Sequence, residues 1–134
     1  MRSSGSAISL RVRAHLGEQR ALVLALLRPR EQLAGSVFRR YGRCGKARCV
    51  CRRGQPHGPY YVLSSPAGGF AYLEPSRFRV AKELVARSRE FRRGLRQLAR
   101  LNVELVGLLR RHQASLATRG RRRLVGREVR SSRK

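Results

Sequence analysis

The sequence contains no tryptophan, a single methionine, and only four tyrosines and four phenylalanines among its 134 residues. A core built from this composition consists mostly of Leu, Val and Ala. The hydrophobic fraction of 41% is nevertheless too high for a chain that is disordered by composition. At this length we expect one domain with a core of modest size.

Negative charge is also scarce, because 7 acidic residues face 32 basic ones and the net charge is +25. Self-repulsion on this scale destabilises a compact monomer, and a bound polyanion relieves it. The composition therefore favours nucleic acid as a partner. Base composition of the genome offers another explanation, since only three of the 32 basic residues are lysine. A GC-rich genome supplies arginine at solvated positions without any binding function.

Long hydrophobic runs are missing as well. The longest one is ALVLALL at residues 21–27, whereas a membrane-spanning helix needs roughly 20 apolar residues. The run resembles the core of a signal peptide, but Arg28-Pro29-Arg30 follows it directly and no small-residue cleavage site is present. We therefore expect a cytoplasmic protein with no membrane partner. In that reducing compartment, clustered cysteines bind metal more often than they form disulfides.

Hydrophobic periodicity and turn residues predict an α+β fold. We expect a flexible basic N-terminus at residues 1–17, one small domain at 18–117, and a disordered basic tail at 118–134. Within the domain, the pattern predicts an N-terminal helix at 18–34, a cysteine-rich segment at 37–55, a two-stranded β-hairpin at 59–75, and a long C-terminal helix at 76–117.

All three cysteines of the chain lie in the segment RCGKARCVCRRGQPHGPYY, which begins at residue 43. The spacing Cys44-x4-Cys49-x-Cys51-x5-His57 collects thiolate sulfur and imidazole nitrogen, the ligands that zinc prefers. Three cysteines and one histidine complete a tetrahedral shell with no open position, which is typical of a structural site. The sequence therefore predicts a knuckle that binds a structural Zn2+ through Cys44, Cys49, Cys51 and His57.

Two other interpretations of this cluster stay open. The cysteines serve either as small buried hydrophobic residues or as a reactive redox cluster. Cys49 and Cys51 are separated by one residue, and in an extended chain such residues point to opposite faces. A shared metal therefore requires a turn between them.

The segment YGRCGKARCVCRRGQPHGPYYVLS resembles the signature of a family of small bacterial and archaeal proteins, domain-of-unknown-function family 6788. The matching elements are Gly35-Ser36, the CGKxxCxC block from Cys44, the HGPYY block from His57, and the LNxEL element from Leu101. The resemblance implies one domain of helix, Cys–His block, hairpin and Leu-rich helix. The hairpin turn reads AGGF at residues 67–70 and lacks the lysine of the family, so the resemblance does not extend to a nucleic-acid role for the hairpin tip. The family implies no activity.

The long helix carries a narrow apolar stripe. Its members are Leu84, Phe91, Leu98 and Leu105, spaced by seven, with Leu95 and Leu109 four residues beyond two of them. Ser88 and Asn102 occupy the other two such places, and Leu101 and Leu108 widen the stripe. This spacing predicts packing against another helix. The partner is either the helix at 18–34, with Leu22, Leu26 and Leu33 on its own stripe, or a second copy in a homodimeric coiled coil.

No catalytic constellation is recognisable, so we predict that the protein is not an enzyme and has no small-molecule substrate. We predict instead a nucleic-acid-binding accessory protein, with DNA and RNA both open, in which aromatic rings stack on bases and arginines hold phosphates. The predicted contact residues are Arg40, Arg43, Arg48, Arg52, Arg53, Tyr60, Tyr61, Arg121, Arg122 and Arg123. In the alternative, the aromatic residues form the core of the hairpin. The Leu-rich helix then serves a protein–protein interaction or dimerisation module, or docks on an acidic protein partner.

Overall fold

The computed structural model describes residues 4–125 and has a mixed α+β fold, as the sequence predicts. In chain order its helices and strands are α1 (Ser4–Leu26), β1 (Ser36–Gly42), β2 (His57–Ser64), β3 (Phe70–Leu73) and α2 (Phe78–Val125). Two compact units result. The sheet unit comprises residues 29–93, and the helical unit comprises residues 4–28 together with 94–125. No helix within the described part of the chain is long and apolar enough to cross a membrane.

The sheet unit contains three antiparallel strands in the order β1-β2-β3. The predicted hairpin is confirmed as β2 and β3, but the sheet has a third strand that the sequence analysis missed. Phe38 lies opposite Val62, and Val62 opposite Tyr72. Because paired residues of neighbouring strands share a face, the side chains at alternate positions form two distinct surfaces of the sheet.

Two glycines allow the backbone to approach the sheet closely. Gly35, just before β1, has a φ of +115°, and a Cβ atom there would lie 1.9 Å from the carbonyl oxygen of Ser64. Gly58 in β2 has a φ of +130°, and a Cβ atom there would lie 2.8 Å from the carbonyl oxygen of Arg40. Only glycine adopts such conformations without strain, so both positions exclude side chains.

The first turns of α2 belong to the sheet unit. Ala81, Val85 and Ser88 are buried, at a spacing that places them on one face of the helix. The ring of Phe78 lies 4.5 Å from the ring of Tyr61, centroid to centroid, and joins the start of α2 to β2. The backbone amide of Leu33 donates a 3.1 Å hydrogen bond to the carbonyl of Leu84. Residues 27–35 are thus outside any helix, although the sequence predicts helix as far as 34.

The helical unit is an antiparallel pair formed by α1 and the second part of α2. The side chains of Leu22 and Leu26 lie against Gly94, where a Cβ atom would come within 2.7 Å of the Leu26 side chain. Farther along, the Gln19 amide donates a hydrogen bond to Asn102 Oδ1. Going from Leu26 back to Gln19 along α1, the contacts on α2 move forward from Gly94 to Asn102. The two helices are therefore antiparallel. The intramolecular pairing that the sequence allowed is therefore confirmed.

The seam of α2 uses only part of the predicted stripe. Leu101 and Leu108 are 7% and 4% exposed, whereas the predicted seam residues Leu95 and Leu109 are 47% and 48% exposed. Leu98 and Leu105, which the sequence analysis also placed in the stripe, are half-buried. The helix is rotated so that a neighbouring column of side chains faces α1.

Both helices are longer than predicted, and α1 begins and ends earlier in the chain. Residues 4–17, predicted as a flexible N-terminus, form the first turns of α1, because the half-buried Ile8 and Val12 continue its apolar stripe. Helix α1 ends at Leu26, shortly before Pro29, whose ring is incompatible with a helix interior. Residues 118–125, predicted as disordered tail, are helical. The rest of that predicted tail, residues 126–134, lies outside the described residues.

Candidate metal centre and aromatic sheet face

The four predicted metal ligands lie in the connection between β1 and β2. Cys44 follows the end of β1 at Gly42, and His57 begins β2 directly opposite Gly42. Cys49 directly precedes a short 3-10 turn at Val50–Arg52, and Cys51 lies within that turn. That turn bends the chain between the two cysteines, so both side chains reach the same point despite their separation by a single residue.

The ligand atoms converge at distances that fit a tetrahedral metal. All four atoms lie within 4.8 Å of one another. The Cys44 and Cys51 sulfurs are 3.6 Å apart, and His57 Nε2 lies 3.1 Å from Cys49 Sγ and 3.3 Å from Cys44 Sγ. With Zn–S bonds of about 2.3 Å and Zn–N bonds of about 2.0 Å, a tetrahedron has edges of about 3.8 Å between sulfurs and about 3.5 Å between sulfur and nitrogen. The cluster matches a metal site formed by three cysteines and one histidine.

The thiol groups differ in their readiness to ionise. Hydrogen bonding lowers the pKa of Cys49 to about 6, first through the backbone amide of Cys51 and then through the side chains of Cys44, Cys51 and His57. Desolvation raises the pKa of the buried Cys51 thiol. The three cysteines form no disulfide with one another. Since metal ligation requires thiolates, Cys49 is closer to its ligating form than Cys51.

Hydrogen bonds hold the knuckle, defined as residues 43–57, in this conformation. The Arg43 guanidinium donates to the carbonyl of Cys51. The Cys49 amide donates to the Lys46 carbonyl at 3.2 Å, and the Gly54 amide donates to the Val50 carbonyl at 3.0 Å. These bonds fix the backbone that presents the four side chains to one another.

The face of the sheet that contains Val62 carries exposed aromatic rings. This aromatic face consists of Phe38, Tyr60, Phe70 and Tyr72 around Val62, which is only 1% exposed. The rings pack edge to face, with centroids 6.4 Å apart for Phe38 and Phe70 and 6.3 Å apart for Tyr60 and Tyr72. Tyr60 is 45% exposed, and Phe70 and Tyr72 are 68% and 67% exposed. These three rings therefore do not form a core, in contrast to the alternative that the sequence left open.

A cavity of about 370 Å³ opens beside Tyr60 and Tyr72. Pro59, Tyr61, Leu73 and Pro75 complete its lining, so the walls are aromatic and proline rings with little polar surface. Such a slot accepts a flat apolar group.

The structure divides the predicted nucleic-acid residues into several groups. Arg40 lies opposite Tyr60 on the aromatic face. Arg48, Arg52 and Arg53 line a second concavity of about 680 Å³ next to Cys49. Arg43 is engaged with the knuckle backbone.

Two further sets of predicted residues are not part of the aromatic face. Tyr61 is half-buried on the opposite face of the sheet, where it contacts Phe78. Arg121, Arg122 and Arg123 lie near the end of α2, in the helical unit. Tyr61 also lines the cavity beside Tyr60 and Tyr72, whereas Arg121, Arg122 and Arg123 belong to the other compact unit.

The sequence analysis missed the contribution of β1. Phe38 belongs to the aromatic face, and the Arg39 guanidinium lies over the rings of Tyr61 and Phe78, at 5.9 Å and 5.6 Å from their centroids. The β-branched and aromatic residues of SVFRRYG, residues 36–42, are a signal for a strand that could have found both residues.

Comparison with known proteins confirms the resemblance noted in the sequence. The model of a family described as a domain of unknown function (DUF6788) matches residues 15–69. The match spans most of α1, the whole metal cluster and the turn after β2. No curated protein and no solved structure matches the chain.

Proposed function

We propose that this protein is a nucleic-acid-binding accessory protein whose knuckle holds a structural zinc ion. The observation that carries the proposal is the exposed aromatic face beside Arg40. The metal cluster lies at one end of the same sheet, in the connection between β1 and β2. Exposed aromatic rings on a sheet are expensive for a soluble protein unless they meet a partner. Unpaired bases are such a partner, because every base presents a flat π-face.

Zinc is the metal that the ligands favour. Thiolate and imidazole ligands in a tetrahedral arrangement suit Zn2+ better than hard cations, which prefer oxygen. Three thiolates give a zinc site a net negative charge, and the neighbouring cations Lys46, Arg48 and Arg52 offset it. Since four protein ligands fill the shell, no position is left for a catalytic water. We accordingly propose a structural role for the metal and no enzymatic activity.

The charges beside the aromatic face suit a polyanion. Arg40 shares the face, while Arg48, Arg52 and Arg53 surround the concavity at the knuckle. Arginine side chains bind phosphate groups through several N–H donors at once. In this proposal the rings of Tyr60 and Tyr72 stack on bases and the knuckle arginines bind the backbone. The geometry favours a single strand of RNA or DNA, whose bases are free to stack, over a duplex.

The test is a set of electrophoretic shift assays with single-stranded RNA, single-stranded DNA and duplex DNA. We expect the wild-type protein to bind single strands, and Tyr72→Ala to weaken that binding by about 5- to 150-fold, the range of one lost base-stacking contact. Tyr72→Phe keeps the ring and should keep the affinity. Val103→Ala, an exposed apolar change in the helical unit, is the matched control. If Tyr72→Ala binds as the wild type does, the aromatic face is not the binding surface. If the wild type binds no nucleic acid even at low salt, the proposed function is wrong.

A further inference from the structure

The helical unit leaves a second row of apolar side chains uncovered. Leu95, Val106, Leu109 and Leu116 of α2 are 46–48% exposed, although α1 already covers a different column of the same helix. Together with Ala99, Asn102 and Gln113 these residues follow a spacing of four and three over three heptads. This is the pattern of a coiled-coil seam. None of the seven positions is charged, in a chain that contains 32 basic residues.

The same side of the helical unit carries apolar residues from α1. The hydrogen bond from Gln19 to Asn102 marks this side, because Asn102 belongs to the exposed row. Leu16 and Val23 lie three residues before and four residues after Gln19, so they are its neighbours on the surface of α1. Leu27 follows Val23 by four residues. Their exposed fractions are 50%, 38% and 70%. These three residues and the four exposed residues of α2 are called the apolar face below.

We propose that the apolar face binds the apolar face of a second copy of this chain, so that the two helical units form a four-helix bundle. The seven side chains expose roughly 600 Å² per copy, or about 1,200 Å² for two copies, which reaches the lower end of specific interfaces. An acidic partner would require cations on the face, and its seam has none. A second copy offers an equally uncharged surface with the same spacing.

The bundle is two-fold symmetric, with the α2 helices antiparallel to each other. Within the row, Leu95 precedes Asn102 by seven residues and Leu109 follows it by seven. In an antiparallel pair centred on Asn102, Leu95 of each copy therefore meets Leu109 of the other. This orientation also separates the arginine-rich ends of α2, near Arg121–Arg123, whereas a parallel pair would bring them together.

Charge repulsion gives the dimer a distinctive salt dependence. Each copy carries a net charge of +25, so added salt screens the repulsion and strengthens association. Binding to nucleic acid has the opposite dependence, because it releases counterions and weakens as salt rises. The inference does not rest on the proposed function. Measurements after nuclease treatment and at high salt exclude dimers that nucleic acid would bridge.

The test is sedimentation equilibrium of the nuclease-treated, full-length protein at about 0.1 M and 0.5 M salt. We expect a dimer that dissociates at least tenfold less readily at the higher salt, as for interacting cationic copies. Leu109→Glu should yield a monomer at both salt concentrations. Its helical circular dichroism should be unchanged, because Leu109 is 48% exposed and lies outside the buried column of Leu101 and Leu108. Val103→Glu, at a 74% exposed position on the side away from α1, is the matched control and should stay dimeric.

A charge exchange tests the orientation. The double variant Leu95→Lys/Leu109→Glu places opposite charges across from each other in the antiparallel pair, and we expect it to recover the dimer that Leu109→Glu loses. A wild-type protein that is monomeric at 0.5 M salt and 100 µM chain overturns the proposal. A dimer that survives Leu109→Glu overturns the assignment of the face. Failure of the double variant to recover the dimer overturns the antiparallel arrangement.

Discussion

At the scale of single residues, His15 adds polar contacts to the leucine packing of the helical unit. Its Nδ1 atom lies 3.0 Å from the carbonyl oxygen of Arg11, and its Nε2 atom lies 2.7 Å from a carboxylate oxygen of Glu104. Both neighbours are acceptors, so the ring satisfies them only when both nitrogens carry protons. The hydrogen bond to Glu104 raises the pKa of His15, followed by the bond to the Arg11 carbonyl, and Glu18 adds a smaller effect. The sequence predicts a flexible N-terminus at residues 1–17, so these contacts of His15 were not expected.

This pair predicts a pH dependence of stability. Because the folded-state pKa of His15 is raised, the stabilisation is fully present below the unfolded value of about 6.5 and is lost as the pH rises through the folded value. We expect Glu104→Gln to remove that part of the pH dependence. The measurement is the free energy of unfolding in urea between pH 5.5 and 9 for both proteins. The control is Glu90→Gln in the sheet unit, which should titrate as the wild type does. Equal pH profiles for wild type and Glu104→Gln contradict the prediction.

At the scale of elements, the entry into β1 depends on Gly35. The chain turns there at a φ of +115°, and the following strand pairs Ser36 with Ser64, whose hydroxyl groups lie 2.7 Å apart. The sheet thus begins at the point where the backbone of residue 35 crosses the end of β2. The same glycine begins the Gly35-Ser36 element of the family resemblance, and its conformation gives a physical reason for a glycine at this place.

We predict that Gly35→Ala destabilises the sheet unit by about 1–3 kcal/mol, because a side chain in this backbone conformation is strained and its Cβ overlaps the Ser64 carbonyl. Gly107→Ala is the control, since that glycine lies inside α2 with no atom near its added Cβ. There alanine should stabilise by about 1 kcal/mol through helix propensity. Thermal and urea unfolding measure both effects. An unchanged midpoint for Gly35→Ala would show that the chain enters β1 by another route.

At the scale of the whole molecule, the metal cluster and the helix pair belong to different compact units. All four ligands lie in the sheet unit, whereas the α1–α2 contacts at Gly94, Asn102 and Glu104 lie in the helical unit. The knuckle connects β1 to β2, so a bound metal closes the loop that aligns these two strands. A metal bound there would contribute directly to the stability of the sheet, as in other small metal-dependent domains.

We predict about one zinc per chain in protein purified without chelator, measured by elemental analysis, and loss of that zinc in Cys49→Ser. Hydrogen-exchange mass spectrometry should then show lost protection in β1, β2 and β3 and retained protection in α1. Cys49→Ser leaves the other ligands in place, and Ser9→Ala on the exposed side of α1 is the control. Absence of metal from the wild type, or uniform loss of protection along the chain, contradicts the prediction.

The sequence by itself determined which four residues form the Cys–His cluster, the β2–β3 hairpin and the existence of both helices. These features depend on residue type and local spacing, such as the thiolates and imidazole within fourteen residues or the apolar period of a helix. Strand β1 carries the same kind of local signal. Because cysteines follow it closely, the sequence analysis assigned its residues from 37 onwards to the cysteine-rich segment. The pairing of β1 with β2 depends on residues 15 to 28 positions away.

Only the tertiary structure decided which column of α2 is buried. The helix has two adjacent apolar columns, one through Leu101 and Leu108 and the other through Leu95 and Leu109, and both satisfy the spacing of a seam. Local periodicity states that a column is apolar but not which partner covers it. Contacts of Gly94 with α1 and the polar pairs at Gln19 and His15 turn the first column inward. The aromatic face follows the same logic, because strand alternation puts Tyr60 and Tyr72 on one surface, and only the packing of α2 leaves that surface exposed.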